Sequence, residues 1–171
     1  MIAAWPPHVE RVATFLREAG AEGRLEELGE DVVRPVEAAE LIGCALDQIV
    51  ECRGFVCDGR PALVLVPASR RPDPGKVARA MGAEHARAAR PDELVALTGC
   101  PPETVAPFPP GQTARVLAEQ TLLTLQSIWV SAGSTRHVVA LSPPELFRLT
   151  RAQPMDVVEE PTYHSSPERT S

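Results

Sequence analysis

Glu51 and Arg53 are the two side chains whose types and spacing could most directly support chemistry in this sequence. They lie in the apolar, β-rich run of residues 50–57, and side chains two residues apart in a strand point to the same face. A guanidinium held by a carboxylate could bind an anion such as phosphate, and a carboxylate in a cleft could act as a general base for water. Alternatively, Glu51 faces solvent or pairs locally, which is the commonest arrangement for a glutamate.

The thiols and imidazoles offer fewer candidates. The thiols belong to Cys44, Cys52, Cys57 and Cys100. No two of them form a C-x-x-C pair and the four histidines are far apart, so the spacing predicts reduced, mostly buried thiols and neither a metal site nor a cofactor. Cys52 alternates away from Glu51 and is predicted to pack in the core, whereas Cys100 is the better candidate for a reactive thiol. His137, close to Ser134, either belongs to a surface turn or lines a substrate site.

Residues 98–110 contain five of the 18 prolines in the chain. Proline fixes φ and lacks an N–H group, so this stretch cannot be the interior of a helix or a central strand. The apolar Val105 and Phe108, and the patterned segments on both sides, favour an ordered loop packed onto the domain rather than a linker. Loops of this kind often carry functional residues on a rigid scaffold.

The surrounding pattern predicts the elements that position these residues. Helices are predicted over residues 8–19, 35–42, 74–81, 91–97 and 143–150. Strands are predicted over residues 50–57, 62–67, 84–89, 114–118, 128–131, 136–141 and 155–158. Asp58-Gly59 predicts a hairpin between the first two strands. We therefore expect an α+β fold, with a mixed and largely antiparallel curled sheet flanked by short helices.

Length and charge narrow the possible functions. A chain of 171 residues fits one domain, predicted over residues 1–158, with a disordered tail over residues 159–171. It has no apolar run near the ~20 residues of a membrane span and no signal peptide, so we expect a cytoplasmic protein without a membrane partner. The net charge of −6 argues against broad nucleic-acid binding. Six basic against two acidic side chains in residues 70–90 could still bind one phosphate-rich partner, or form a solvated polar face.

The order of these segments resembles the YbaK/aminoacyl-tRNA synthetase-associated domain family. That family includes free-standing aminoacyl-tRNA deacylases and the editing insertion of bacterial prolyl-tRNA synthetases. The resemblance runs from about Val36 to Val158. It rests on residues 49–52, 62–67, 76–83, 98–108, 129–134 and 141–150. The family hydrolyses the ester that joins a wrong amino acid to tRNA, so the resemblance implies that this chain binds the aminoacylated 3′ end of tRNA or a small mimic of it.

The resemblance also implies a pocket for the 3′-terminal adenosine and a small amino acid. Such a pocket must position the ribose and phosphate and offer backbone N–H groups to the oxyanion that develops on the carbonyl. The residues implied to shape it or to line the substrate are Gly99, Pro101, Val105, Pro107, Phe108, Gly133, Ser134 and His137.

Two departures from the family pattern concern the catalytic positions, Glu51, Arg53, Glu103 and Thr104. The family has a lysine where this chain has Glu51, and commonly a Gly-Gly pair where it has Glu103-Thr104. At ~4 Å from a phosphate charge, a lysine would gain roughly 4 kcal/mol at an effective dielectric of about 20, and a glutamate would be repelled by a similar amount. We therefore expect an altered site, in which Arg53 oriented by Glu51 is one replacement for the lysine.

Three functions remain open at this point. The first is an aminoacyl-tRNA deacylase-like protein with an altered active site. The second is a non-catalytic module that binds tRNA or another ligand and has lost editing activity. The third is a hydrolase for another small acyl ester that uses Glu51 and Cys100.

Overall fold

A mixed, curled sheet of eight strands forms the centre of the computed structural model, which describes residues 5–111 and 114–161. The strands are Arg24–Glu27 (β1), Ile49–Cys57 (β2), Arg60–Pro67 (β3), Ala86–Ala88 (β4), Arg115–Glu119 (β5), Ile128–Ser134 (β6), His137–Leu141 (β7) and Gln153–Met155 (β8). The helices are Pro7–Glu18 (α1), Pro35–Ile42 (α2), Pro74–Met81 (α3), Pro91–Thr98 (α4) and Pro143–Thr150 (α5). The predicted α+β fold is confirmed.

The strand order is β1-β7-β6-β2-β3-β5-β8, and β4 pairs with β2. The β2–β3 hairpin turns at Asp58 and Gly59, both of which have positive φ, as the Asp-Gly pair predicts. Parallel pairs join β2 to β6, β3 to β5 and β5 to β8, while the other pairings are antiparallel. The sheet therefore contains more parallel pairing than a hairpin-rich sequence suggests.

Helix α1 and the proline-rich loop close one face of the sheet. Val12 and Leu16 of α1 are buried in the same apolar cluster as Val105 and Phe108 of the loop. The ring of Phe108 stacks on that of Phe15 with centroids 6.0 Å apart. These contacts make the loop part of the core, which confirms that it is an ordered segment packed onto the domain.

Helix α3 covers a second cluster and is held by local capping. The carboxylate of Asp73 accepts hydrogen bonds from the N–H groups of Gly75 (2.9 Å) and Lys76 (3.4 Å), and Gly82 ends the helix with φ of 66°. Val77 and Met81 pack into an apolar cluster that also holds the end of β2. The cap thereby fixes the segment around residue 73, which lies beside the cavity described below.

Two edges of the sheet differ from the prediction. Strand β1 was not predicted because Arg24–Glu27 is mostly charged, yet it pairs along β7 at the sheet edge, where one face can stay in water. At the other edge, β8 spans Gln153–Met155 rather than residues 155–158 and runs parallel to β5. Val158 makes only an isolated bridge, to Pro72.

The segment that follows β8 is fixed to the domain. The N–H of Glu159 donates to the carbonyl of Arg71 at 2.8 Å, and Lys76 binds the carboxylates of Asp156 (3.0 Å) and Glu160 (2.6 Å). These contacts lie at the start of the predicted disordered tail. Its residues 162–171 lie outside the described part of the chain. Among the described residues, no helix is both long and apolar enough to cross a membrane.

Candidate functional site

A cavity of about 820 Å³ opens where β2 changes partners. One edge of β2 pairs with β3 over residues 50–57. The other edge pairs with β6 only at Ile49 and Val50, and with β4 only from Phe55 to Cys57. No described strand pairs with residues 51–54 on this second edge. The cavity is lined by these residues and by parts of β4, β6 and the proline-rich loop.

Glu51 and Arg53 lie together in this cavity. Nη2 of Arg53 is 3.4 Å from Oε1 of Glu51, which makes an ion pair between neighbouring side chains on one face of β2. The Glu51 side chain is 26% exposed and that of Arg53 is 48% exposed. The carboxylate is therefore the more buried group of the pair, and the guanidinium is the more exposed one.

The proline-rich loop forms another wall, which Ser131 holds in place. Pro102, Glu103, Thr104 and Val105 line the cavity, and Thr104 is buried. The Oγ of Ser131 donates to the carbonyl of Thr104 at 3.2 Å and accepts from the N–H of Gly133 at 3.1 Å. One hydroxyl thus links the loop to the irregular end of β6.

Apolar side chains form the remaining walls. On one side lie Val32, Ala38 and Trp129, and Nε1 of Trp129 donates to the Glu26 carboxylate at 3.2 Å. On the opposite side lie Ala88, Ala89 and Leu94. A cavity that combines apolar walls with charged and polar side chains is typical of a site that binds a polar organic ligand or the end of a larger one.

His137 and Ser134 line the cavity beside the turn that joins β6 to β7. Nδ1 of His137 is 2.6 Å from Oγ of Ser134, which also accepts the N–H of Arg136 at 3.0 Å. Alternation along β7 puts His137 on the face of the buried Val139, and His137 itself is buried. This geometry fits a histidine that shapes the wall by holding the turn.

The same turn holds the segment at the mouth of the cavity. Asp31 accepts hydrogen bonds from Oγ1 of Thr135 (2.6 Å) and Nε of Arg136 (3.1 Å), and these bonds lower the pKa of Asp31. The N–H of Val32 donates to the carbonyl of Thr135 at 2.8 Å. Hydrogen bonds therefore fix the segment around Asp31 and Val32 to the turn between β6 and β7.

Comparison with known proteins identifies the family. The aminoacyl-tRNA editing domain matches residues 29–149. The chain belongs to this family. The uncharacterised protein YwhH of Bacillus subtilis (strain 168) is 25% identical to it over 138 residues, which are 81% of this chain and 88% of YwhH.

Solved structures share the fold of this editing domain. One, described as a candidate trans-editing enzyme for prolyl tRNA synthetase, has a TM-score of 0.84 and 31% identity, and the match covers 92% of this chain and 100% of that one. Another, the hypothetical protein APE2540, has a TM-score of 0.82 and 26% identity, with 87% and 99% coverage. The similarity extends over nearly the whole of each chain.

The structure brings seven of the predicted site residues together. Those lining the cavity are Glu51, Arg53, Glu103, Thr104, Val105, Ser134 and His137. The other five lie outside its lining: Gly99, Pro101, Pro107, Phe108 and Gly133. Phe108 packs in the core and Gly99 ends α4 with φ of 72°, so both help to position the loop without lining the cavity. Gly133 has φ of 101° at the bulge in β6.

The thiols near the cavity are unfavourable nucleophiles. Burial, and then the neighbouring Cys100 and Glu51, raise the pKa of the Cys52 thiol well above its usual range. Cys100 is buried in the core cluster, and its Sγ lies 3.7 Å from the carbonyl of Thr98. Cys100 is not among the residues that line the cavity. The hydrolase hypothesis based on Glu51 and Cys100 therefore has no shared site to support it.

Among the cavity residues that sequence reasoning did not select, Ser131, Trp129 and Arg71 are the ones that bear most on its chemistry. Ser131 and Trp129 lie within the stretch that carries the family resemblance, and their alternation along β6 could have placed both on one face. Arg71 belongs to the basic region of residues 70–90. Only the fold shows that it reaches the cavity mouth, beside Glu159.

Proposed function

We propose that this editing domain hydrolyses the ester of a mischarged aminoacyl-tRNA in the cavity, with Arg53 as the cation that positions the terminal phosphate. The observation that carries the proposal is the Glu51–Arg53 pair inside a cavity of about 820 Å³ in an editing-domain fold. Glu51 occupies the family's lysine position but orients a guanidinium two residues away. A cation is therefore still present in the site.

The position of Arg53 fits a phosphate that enters from solvent. About half of its side chain is exposed, and Arg71, which is also exposed, lines the same cavity. Guanidinium groups bind phosphate oxygens through paired N–H donors. The two arginines would hold the phosphate end of the substrate near the mouth, while the apolar walls receive the adenosine.

The reaction itself needs a water molecule and an oxyanion site. Water attacks the ester carbonyl carbon, the bond to the ribose oxygen then breaks, and that oxygen takes up a proton to leave a hydroxyl and a free amino acid. The negative charge on the carbonyl oxygen requires backbone N–H donors. The N–H of Thr104 already donates to the carbonyl of Pro101 at 3.0 Å, so the N–H groups of Glu103 and Val105 are the candidates.

The test is a deacylation assay over a panel of tRNAs mischarged with small amino acids. We expect release above the buffer rate for at least one of them. Arg53→Ala should lower kcat/KM about 10- to 100-fold, because a hydrogen bond to a charged group contributes ~1.5–3 kcal/mol. Arg17→Ala, at an exposed residue of α1 outside the cavity lining, is the matched control and should leave the rate unchanged. Absence of both release and tRNA binding at low salt would reject the proposal.

A second candidate, a non-catalytic binding module, is favoured by one observation. Glu103 and Thr104 give side chains to a loop that commonly has two glycines, and the Thr104 side chain is buried against the sheet. This can reduce the approach of the backbone to an ester. A protein of this kind would bind the aminoacylated 3′ end without releasing the amino acid, and Glu51→Ala and Arg53→Ala would leave its function unchanged.

A further inference from the structure

The carboxylate of Glu51 is only partly satisfied by the protein. Its Oε1 has a single long contact, 3.4 Å, to Arg53. Within residues 5–111 and 114–161, Oε2 has no hydrogen-bond partner. In that part of the chain no completely buried side-chain oxygen lacks a partner, so Oε2 is accessible, and its residue lines the cavity. A carboxylate has about four lone-pair sites, and one that is three-quarters buried is stabilised by a further donor.

The chemistry of an aminoacyl ester supplies such a donor. Every free aminoacyl ester carries an α-amino group one carbon away from the reacting carbonyl, and in its protonated form this group is a cation with three N–H donors, or two in proline. The phosphate lies at the other end of the adenosine and carries the opposite charge. The Glu51–Arg53 pair has the same polarity, because Glu51 is its more buried charge and Arg53 its more exposed one.

We propose that Glu51 binds the α-ammonium group of the aminoacyl substrate and makes the site selective for esters whose amino group is free. This inference rests on the proposed function and names the part of the substrate that the altered position recognises. Glu51 then has two partners, with Oε1 on Arg53 and Oε2 on the ammonium. An N-acylated amino group carries no charge, has at most one N–H and adds bulk beside the carboxylate.

The test uses two pairs of probes that differ only at the amino group. The first pair is an aminoacyl-tRNA and its N-acetyl derivative, assayed for deacylation with alanine, serine and proline as the amino acid. The second pair is a non-hydrolysable analogue, 3′-aminoacylamino-3′-deoxyadenosine 5′-phosphate, and its N-acetyl derivative, assayed for binding by calorimetry. We expect the free amine to be preferred at least tenfold in kcat/KM or in Kd.

Glu51→Gln keeps the shape of the side chain and removes its charge. It should weaken binding or cleavage of the free-amine probe at least tenfold. It should also reduce the preference for this probe over the N-acetyl probe to less than threefold. Glu40→Gln, on the exposed face of α2 and outside the cavity lining, is the matched control and should keep the full preference. Thermal unfolding of both variants shows whether the fold is retained.

The outcomes separate this inference from the proposed function. Equal hydrolysis or equal binding of free and N-acetyl probes by the wild type overturns the role of Glu51 and leaves the hydrolase proposal in place. A preference that survives in Glu51→Gln also overturns it. Selective binding without release supports the role of Glu51 and rejects hydrolysis. Failure to bind or cleave any probe overturns both.

Discussion

Replacing Ser131 with alanine should release the proline-rich loop from the sheet. The change removes the bond from Oγ to the carbonyl of Thr104 (3.2 Å) and leaves the buried N–H of Gly133 without its acceptor at 3.1 Å. A typical hydrogen bond contributes ~0.5–1.5 kcal/mol to stability, so two of them give a loss of about 2 kcal/mol. In a domain of this size, 1 kcal/mol corresponds to roughly 2–4 °C, so we expect Tm to fall by about 4–8 °C.

Activity should fall by a separate route. The loop carries Thr104 and its neighbours along the cavity wall, and a misplacement of about 1 Å can lower a rate up to 10²-fold. We expect kcat/KM in the deacylation assay to fall about tenfold at a temperature where the variant remains folded.

Ser127→Ala is the matched control for Ser131→Ala. Ser127 is exposed and lies just before β6, so its loss should change neither quantity. The reasoning is refuted if Ser131→Ala keeps both the Tm and the kcat/KM of the wild type.

Three further predictions concern the surroundings of the cavity. Gly133→Ala should lower the free energy of unfolding, measured by urea denaturation, by ~1–3 kcal/mol, because a φ of 101° strains any residue other than glycine. An unchanged free energy of unfolding would contradict this. Hydrogen bonds from Arg87 and a backbone N–H lower the pKa of Glu93 from its usual 4.5 to about 2. Ionised Glu93 therefore stabilises the fold above pH 4.5. The Glu93→Gln variant should be less stable than wild type at pH 7 but equally stable near pH 2. A difference in stability that does not depend on pH would refute this prediction. Iodoacetamide should label Cys44 before Cys52, since burial raises the pKa of Cys52 further than that of Cys44. Mass spectrometry of the folded protein measures the order of labelling, and the reverse order would contradict the prediction.

Much of the fold could be predicted because local chemistry agrees with it. Asp58-Gly59 specifies the hairpin, Asp73 caps α3, and the prolines of the 98–110 loop exclude helix and central strand. Strand β1 could not be predicted, because its charged residues become a strand only when β7 offers an edge. The parallel pairings are also invisible locally, since they join segments far apart in the chain.

The site was predictable only where one strand defines it. Glu51 and Arg53 share a face because of the period of two in β2, and the structure shows the expected ion pair. Phe108 and Pro107 were expected on a pocket wall, but neither lines the cavity, because apolar loop residues can equally well pack in the core. The stacking of Phe108 on Phe15 shows that Phe108 belongs to the core. Ser131 was missed because its role depends on a carbonyl 27 residues earlier in the chain.

The resemblance implies a lysine at position 51, and the Glu51–Arg53 pair can be understood as a replacement for that positive charge. Two residues along a strand separate Cα atoms by about 6–7 Å, but the Arg53 guanidinium lies only 3.4 Å from the Glu51 carboxylate, so the cation stays next to position 51 at the more exposed end of the pair. Arg53 is indeed the more exposed of the two side chains. A phosphate held at this outer point leaves the inner position free for the other end of the substrate, where a carboxylate favours a cation rather than a phosphate. The absence of a lysine at position 51 therefore does not by itself argue against ligand binding, because the pair at positions 51 and 53 still offers one site for each charge.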